Sequence, residues 1–501
     1  MKKTLLYSAA LAALVAVPLS CTKTDSRSDG QDEVAVEQAI GFGAYVNRST
    51  TSKAGSPGIL TTNGTGSTVS LQDEGFGVFG YYTNGEMYSE TAKPDFMYNT
   101  KVYYSTGAGA WVYSPIKYWP NEFGADATSE EVDHLTFFAY APYVGASPAT
   151  GIVEGDATVG ITGLSRNSAT GDPYVKYFSS LYPAKCVDLC WGVAAENFSS
   201  AITATAVNNI AKGNPYIDLV KPKVSDKINF DFKHALAALN IQIDADVDDA
   251  THSHANAVDA KTKIYVRSVS FEGFALKGAL NLNSPTGSPG WNDISGSGRL
   301  SQEVVTVYDG RRDGKEGIAG AEAKNETPIG LNPVIVQSVP YASTPTAGVT
   351  STPVNLFDVS SYFADPDAPT VEETANALAA SIFVIPNTEN MKITIVYDVE
   401  SKDDKLAGTL SDGVQHGSTI ENAISKSITI TGNDLQIEAG KKYSVKLHLG
   451  MTSVQFEADM EAWPTSAEAE ADTDLPINAS TDVSLTLGPA PVTPGTTTPL
   501  P

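Results

Sequence analysis

The chain has 501 residues, with 33 Lys and Arg against 58 Asp and Glu, so its formal charge is −25. That length exceeds one ordinary core and suits two or three domains, while the acidity excludes DNA, RNA or an anionic membrane surface as partner, since these need a positive field. Hydrophobic residues at 42% exclude a disordered chain; 42 Gly and 28 Pro against only 18% charged residues fit a turn-rich β protein, and three Cys exclude a disulfide-dense scaffold.

The N-terminus reads Met1-Lys2-Lys3, then a Leu, Ala and Val-rich run from Leu5 to Val17, then Pro18-Leu19-Ser20-Cys21. A basic start, a short apolar stretch and small residues before the cut predict a signal peptide over 1–20. The run is too short to span about 30 Å of hydrocarbon. Cys21 stands where a bacterial lipobox carries its acylated cysteine, although Pro18 and Leu19 depart from the usual order; a plain signal-peptidase cut beside a chance Cys is the alternative. Two or three acyl chains would make Cys21 a lasting anchor. Loss of two signal lysines leaves 31 − 58 = −27. Residues 21–38 are polar and acidic and read as a flexible tether.

Beyond the tether the dominant pattern has period two. It is clearest in Ile228–Phe232, Leu239–Ile243, Met391–Val399, Tyr443–Leu449 and Val454–Met460, where apolar and polar residues alternate. This predicts antiparallel strands with one face on a core, separated by Gly, Asn, Ser and Pro turns. Helix signals are few. The best is Thr370 with Glu373 in capping-box spacing, followed by Thr374 to Ala380 and a strand over Ser381 to Ile385. The expected architecture is all-β, with two β-sandwich domains. The Ser-Pro and Gly-Ser-Gly-rich stretch Leu282 to Leu300 sets the division, giving domains 39–298 and 299–488 and a Pro/Thr-rich tail over 489–501.

Several motifs have both a chemical and a structural reading. Gly75-Phe76-Gly77-Val78-Phe79-Gly80 matches the G-x-G-x-x-G dinucleotide pattern, but that mechanism needs a strand before the glycines and a helix after them. Polar residues precede them here and Tyr81-Tyr82 follow, so an aromatic strand is expected. Cys186 and Cys190 would lie about 13 Å apart in a strand, beyond disulfide reach, and closer in a helical turn, where a strained local disulfide is the alternative. With two cysteines and no histidine nearby in sequence, a zinc site is incomplete, and buried free thiols are expected. Asp244–Asp249 with His252 and His254 begins like a calcium loop, but Asp249 stands where Gly is required and Ala255 where Glu is required. A solvated acidic loop is the better reading. No nucleophile elbow or H-E-x-x-H motif is present, so no catalytic residue, cofactor or metal is assigned. Trp111, Trp119, Trp191, Trp291 and Trp463 suit core packing better than sugar stacking.

Read together, Cys21, the opening strand Ile40–Val46, Phe76–Tyr81, Tyr118-Trp119-Pro120, Leu135–Tyr143, Asp188–Trp191, Phe230–Leu236, Phe383–Pro386 and Gly440 to Trp463 form an ordered set over nearly the whole mature chain. The set resembles the Bacteroidetes fimbrillins, subunits of the type V pilus, and their tip relatives. The resemblance implies two tandem transthyretin-like antiparallel β-sandwiches, export as an outer-membrane lipoprotein, and a non-enzymatic fimbrial role in surface adhesion. It implies assembly by strand replacement: a protease removes the lipidated N-terminal segment with its first strand, which here carries Ile40, Phe42, Ala44 and Val46. The groove then accepts a strand from another fimbrial subunit. Cleavage in that family follows a basic residue, usually Arg before Ala. This chain offers Lys53-Ala54 at the matching place and Arg48-Ser49 just before it; an uncleaved, exposed turn is the structural alternative. A surface glycan-binding lipoprotein that is not polymerised is the second functional reading, with a host or glycan ligand met by exposed aromatics, and a sandwich-borne hydrolase a distant third. No nucleic-acid partner is expected.

Overall fold

The computed structural model describes residues 38–46, 59–63, 69–120, 133–155, 157–195, 211–221, 227–245, 262–273 and 275–292. It further describes 301–302, 305–312, 323–325, 353–357, 359, 362–365, 368–386, 391–409, 415–430, 436–449 and 454–462. The expected signal peptide, Cys21, nearly all of the tether, and the C-terminal tail lie outside these residues, as do Trp463, Asp246–Asp249, His252 and His254.

Short strands dominate. β1 (Gly41–Val46), β2 (Leu60–Thr61) and β3 (Val69–Ser70) lead into a one-turn helix α1 (Leu71–Glu74). There follow β4 (Phe76–Thr83), β5 (Met97–Ser105), β6 (Ala110–Val112), β7 (His134–Ala141), β8 (Gly160–Leu164), β9 (Tyr174–Phe178), β10 (Cys190–Ala194), β11 (Tyr216–Leu219) and β12 (Lys227–His234). Next come β13 (Ala237–Ala245), β14 (Thr262–Glu272), β15 (Ala275–Asn281), β16 (Gly290–Asn292), β17 (Ser301–Gln302) and β18 (Val305–Arg312). The described chain closes with β19 (Ala323–Asn325), β20 (Val354–Asn355), helix α2 (Val371–Ala379), β21 (Ile382–Val384), β22 (Met391–Thr409), β23 (Gln415–Ile430), β24 (Lys441–Leu449) and β25 (Val454–Ala462). The fold is all-β, as the period-two pattern requires.

The largest sheet has eight strands in the order β1-β12-β10-β7-β4-β5-β6, with β11 beside β7. A second sheet runs β16-β15-β9-β8, with β17 on β15. A third runs β20-β13-β24-β25, with β21 on β13, and a fourth β19-β18-β14-β22-β23. All these residues belong to one compact unit, Gln38–Pro501. Two strands that precede the expected 298/299 division, β13 and β14, pair with β24 and β22, which follow it.

The central strands of the eight-stranded sheet are covered on both faces, which explains why β7 (HLTFFAYA) is buried throughout rather than alternating. Successive side chains of a strand point to opposite faces. Phe137, Ala139 and Ala141 enter one core with Phe42, Phe230 and Phe232. Phe138 and Tyr140 enter another with Trp191, Val175 and Ile241. β22 and β24 keep the alternation expected of half-buried strands, burying Met391, Ile393, Ile395 and Tyr397 on one and Tyr443, Val445, Leu447 and Leu449 on the other.

The glycine-rich segment reverses the order a phosphate site needs, since α1 precedes it and β4 is the strand it becomes. Its glycines serve close packing. Gly75 has φ +74°, a region only glycine enters freely. A Cβ on Gly77 would collide with the Tyr140 ring, whose hydroxyl donates to Asn99 Oδ1 at 2.8 Å.

The one predicted helix forms where its cap requires. Thr370 Oγ1 accepts from Glu373 N at 3.1 Å, and Glu373 Oε2 accepts from Thr370 N at 2.8 Å. Each side chain thus satisfies a donor that the first helical turn leaves open.

Candidate functional site

β1 is the terminal strand of the eight-stranded sheet and pairs parallel with β12, from Gly41 opposite Lys227 to Val46 opposite Phe232. The next pair inward, β12 with β10, is antiparallel. Ile40, Phe42 and Val46 are buried, and Ala44 packs against the same core from a half-buried position. The Phe42 ring lies edge-on to Tyr113 at 5.3 Å and Phe137 at 5.7 Å, and stacks near Phe230 at 6.2 Å.

Both ends of the strand are tied. Ile40 N donates to Lys117 O, and Trp119 N donates to Gln38 O, each at 2.9 Å. The Tyr113 hydroxyl donates to Ile40 O at 2.8 Å, and burial raises its pKa above the ordinary tyrosine value. At the other end one hydroxyl serves both backbone groups of Val46: Thr62 Oγ1 accepts from Val46 N at 2.9 Å and donates to Val46 O at 3.0 Å. A Cβ on Gly43 would meet Asn229 Oδ1 on β12, so the glycine lets the two strands approach.

The candidate processing residues Arg48, Ser49, Lys53 and Ala54 lie outside the described residues. In sequence they fall between Val46, the last residue of β1, and Ile59.

A second cluster sits where β10 and β12 pair. Their register sets Cys190 opposite His234, and Asp188 just precedes β10. Cys190 Sγ is 3.5 Å from His234 Nδ1 and 3.9 Å from Asp188 Oδ2, and His234 Nδ1 is 2.7 Å from Asp188 Oδ2. All three residues are buried. Asp188 Oδ2 also accepts from Leu60 N on β2 at 2.9 Å. Burial pushes the Cys190 thiol well above its ordinary pKa, and the charge of Asp188 adds to this. A thiol held in that state is no nucleophile.

The cysteines have no histidine nearby in sequence, yet the fold brings one to Cys190. His234 is 44 residues from Cys190 in sequence, and only strand pairing brings it near. Cys186 takes no part; its thiol is buried, faces Ser180 O at 3.4 Å, and is pushed by burial up to about 12. Both cysteines are free. Trp119 and Trp191 are core residues at 2% and 1% exposure, which removes them as sugar platforms. Trp111 and Trp291 are half-buried, and the Trp291 indole donates to Ala235 O at 2.9 Å. Asp244 pairs with His448 across parallel β13 and β24, a partner that sequence distance hides.

Residues 62–463 match the fimbrillin-like family, and the chain belongs to it. The match begins at Thr62, just after β2. No curated protein matches the sequence. Among solved structures, a protein assigned to cell adhesion from Bacteroides uniformis is similar over 85% of this chain and 99% of its own, at 15% identity and a TM-score of 0.33. One from Parabacteroides distasonis, also assigned to cell adhesion, covers 85% and 100% at 11% identity and TM-score 0.34. A fimbrial protein from Bacteroides ovatus covers 54% and 46% at 12% identity and TM-score 0.16. The family match places this chain among cell-surface fimbrial subunits that assemble with one another.

Proposed function

We propose that the protein is a non-enzymatic fimbrial subunit that reaches the outer membrane as a lipoprotein acylated on Cys21 and is assembled by strand exchange. A protease cuts after Lys53 or Arg48 and frees the segment that carries β1. A strand from a second subunit then takes its place against β12. The observation that carries this reading is the position of β1: terminal in its sheet, parallel to its one full-length neighbour, with Ile40, Phe42 and Val46 buried. Departure of such a strand bares a row of unpaired N–H and C=O groups on β12 and an apolar trough beside Phe137 and Phe230. Only another extended chain satisfies both at once.

N-terminal sequencing of the protein from its native cells tests this directly. The expected result is a mature start at Ser49 or Ala54, with SDS-resistant ladders on gels. A monomer that still begins at acylated Cys21 would overturn assembly by strand exchange and leave a membrane-tethered surface protein.

A further inference from the structure

We propose that Cys190, His234 and Asp188 form a buried structural site for one zinc-class divalent cation. The donor set is the first reason. Thiolate, imidazole and carboxylate are the three ligand types that borderline ions such as zinc combine, and histidine and cysteine exclude the hard ions that prefer all-oxygen sites. The spacing is the second. In a tetrahedral site with bonds of about 2.3 Å to sulfur and about 2.0 Å to nitrogen and oxygen, sulfur stands about 3.5 Å from each lighter ligand, and nitrogen and oxygen about 3.3 Å apart. The observed 3.5 Å and 3.9 Å from Cys190 Sγ match the first requirement. The 2.7 Å between His234 Nδ1 and Asp188 Oδ2 is a hydrogen-bond distance, and replacing that proton by an ion requires the pair to open by roughly half an ångström.

A third observation is independent of the first two. Asp188 is 2% exposed, yet its Oδ1 has no hydrogen-bond partner among the described residues. A buried carboxylate oxygen in that state is costly unless an ion engages it. Leu60 N, donating to Asp188 Oδ2, orients the group as outer-shell donors do at metal sites. The charges close as well: thiolate and carboxylate neutralise a dication in the core, with the imidazole neutral. On uptake the thiol proton leaves to solvent as the metal–sulfur bond forms, and the imidazole proton resides on Nε2 so that Nδ1 offers its lone pair. Full burial means the ion enters with folding rather than after it.

The test uses the full chain without an affinity tag, unfolded in chelator and refolded with cobalt or with zinc. Cobalt should bind one per chain, with tetrahedral ligand-field bands and a thiolate-to-cobalt charge-transfer band that zinc abolishes. Cys190→Ser should remove the charge-transfer band and lower zinc affinity about tenfold or more, and Cys186→Ser should leave both unchanged. Wild-type protein that binds cobalt without a thiolate band, binds no stoichiometric ion, or keeps its band in Cys190→Ser overturns the site. The wild-type spectrum decides alone if Cys190→Ser does not fold.

Discussion

Phe42 is the residue on which β1 depends most. Its ring fills the space between Tyr113, Phe137 and Phe230, and removing a phenyl group from such a site costs about 3–5 kcal/mol. The loss falls on the docking of one terminal strand. Phe42→Ala should therefore speed hydrogen exchange at Gly41–Val46 while leaving Cys190–Ala194 protected. Equal acceleration in both segments would show that β1 and the central strands open as one unit. At this scale the sequence was readable for residues whose role is set by their own strand: the alternation in Met391–Val399 and Tyr443–Leu449 says which side chains enter the core. It was silent on Asp188, Cys190 and His234, because their proximity is a property of register between β10 and β12.

At the scale of the element, local rules were visible where the partner is close in sequence. Thr370 and Glu373 meet within one turn, so the capping box announces the helix before any tertiary contact exists. Thr370→Ala should cost about 1 kcal/mol, read from denaturant unfolding. Glu373 adds a pH dependence of defined sign. Hydrogen bonds from the Thr370 and Ala364 backbones hold its pKa below the ordinary value. A lowered folded value means its contribution is complete above about pH 4.3 and is lost as pH falls through the folded pKa. Comparing unfolding of wild type and Glu373→Gln from pH 5 to pH 2 should show the two curves converging in acid. β7 shows why other elements were harder to read. Both of its faces are covered, so burial erases the alternation that marks a half-buried strand. The parallel pairing of β1 was likewise hidden, since orientation leaves no trace in the strand's own residues.

The molecule as a whole is built from pairings that span the chain. β13 joins β24 in parallel from Ala238 opposite Lys442 to Ala245 opposite Leu449, so the third sheet is incomplete until nearly all of the chain is present. β1 joins β12 at a separation of 227 − 41 = 186 residues. Contacts of such sequence distance form slowly, since the loop between them must be closed first. In refolding followed by pulsed hydrogen exchange, the amides of β4 and β7 should gain protection before those of β1. Simultaneous protection would mean that β1 belongs to the folding nucleus.

The same separation has a consequence for biogenesis. A chain that leaves the ribosome or the translocation pore N-terminus first delivers β1 long before the strand it must lie against. At roughly 5–20 residues per second, about 10–40 seconds pass before Lys227–His234 follows. Throughout that interval Ile40, Phe42 and Val46 have no native place to go. The chain therefore begins its life with a bare, adhesive ribbon, and the cell must shield that ribbon or keep crowding low while the rest arrives.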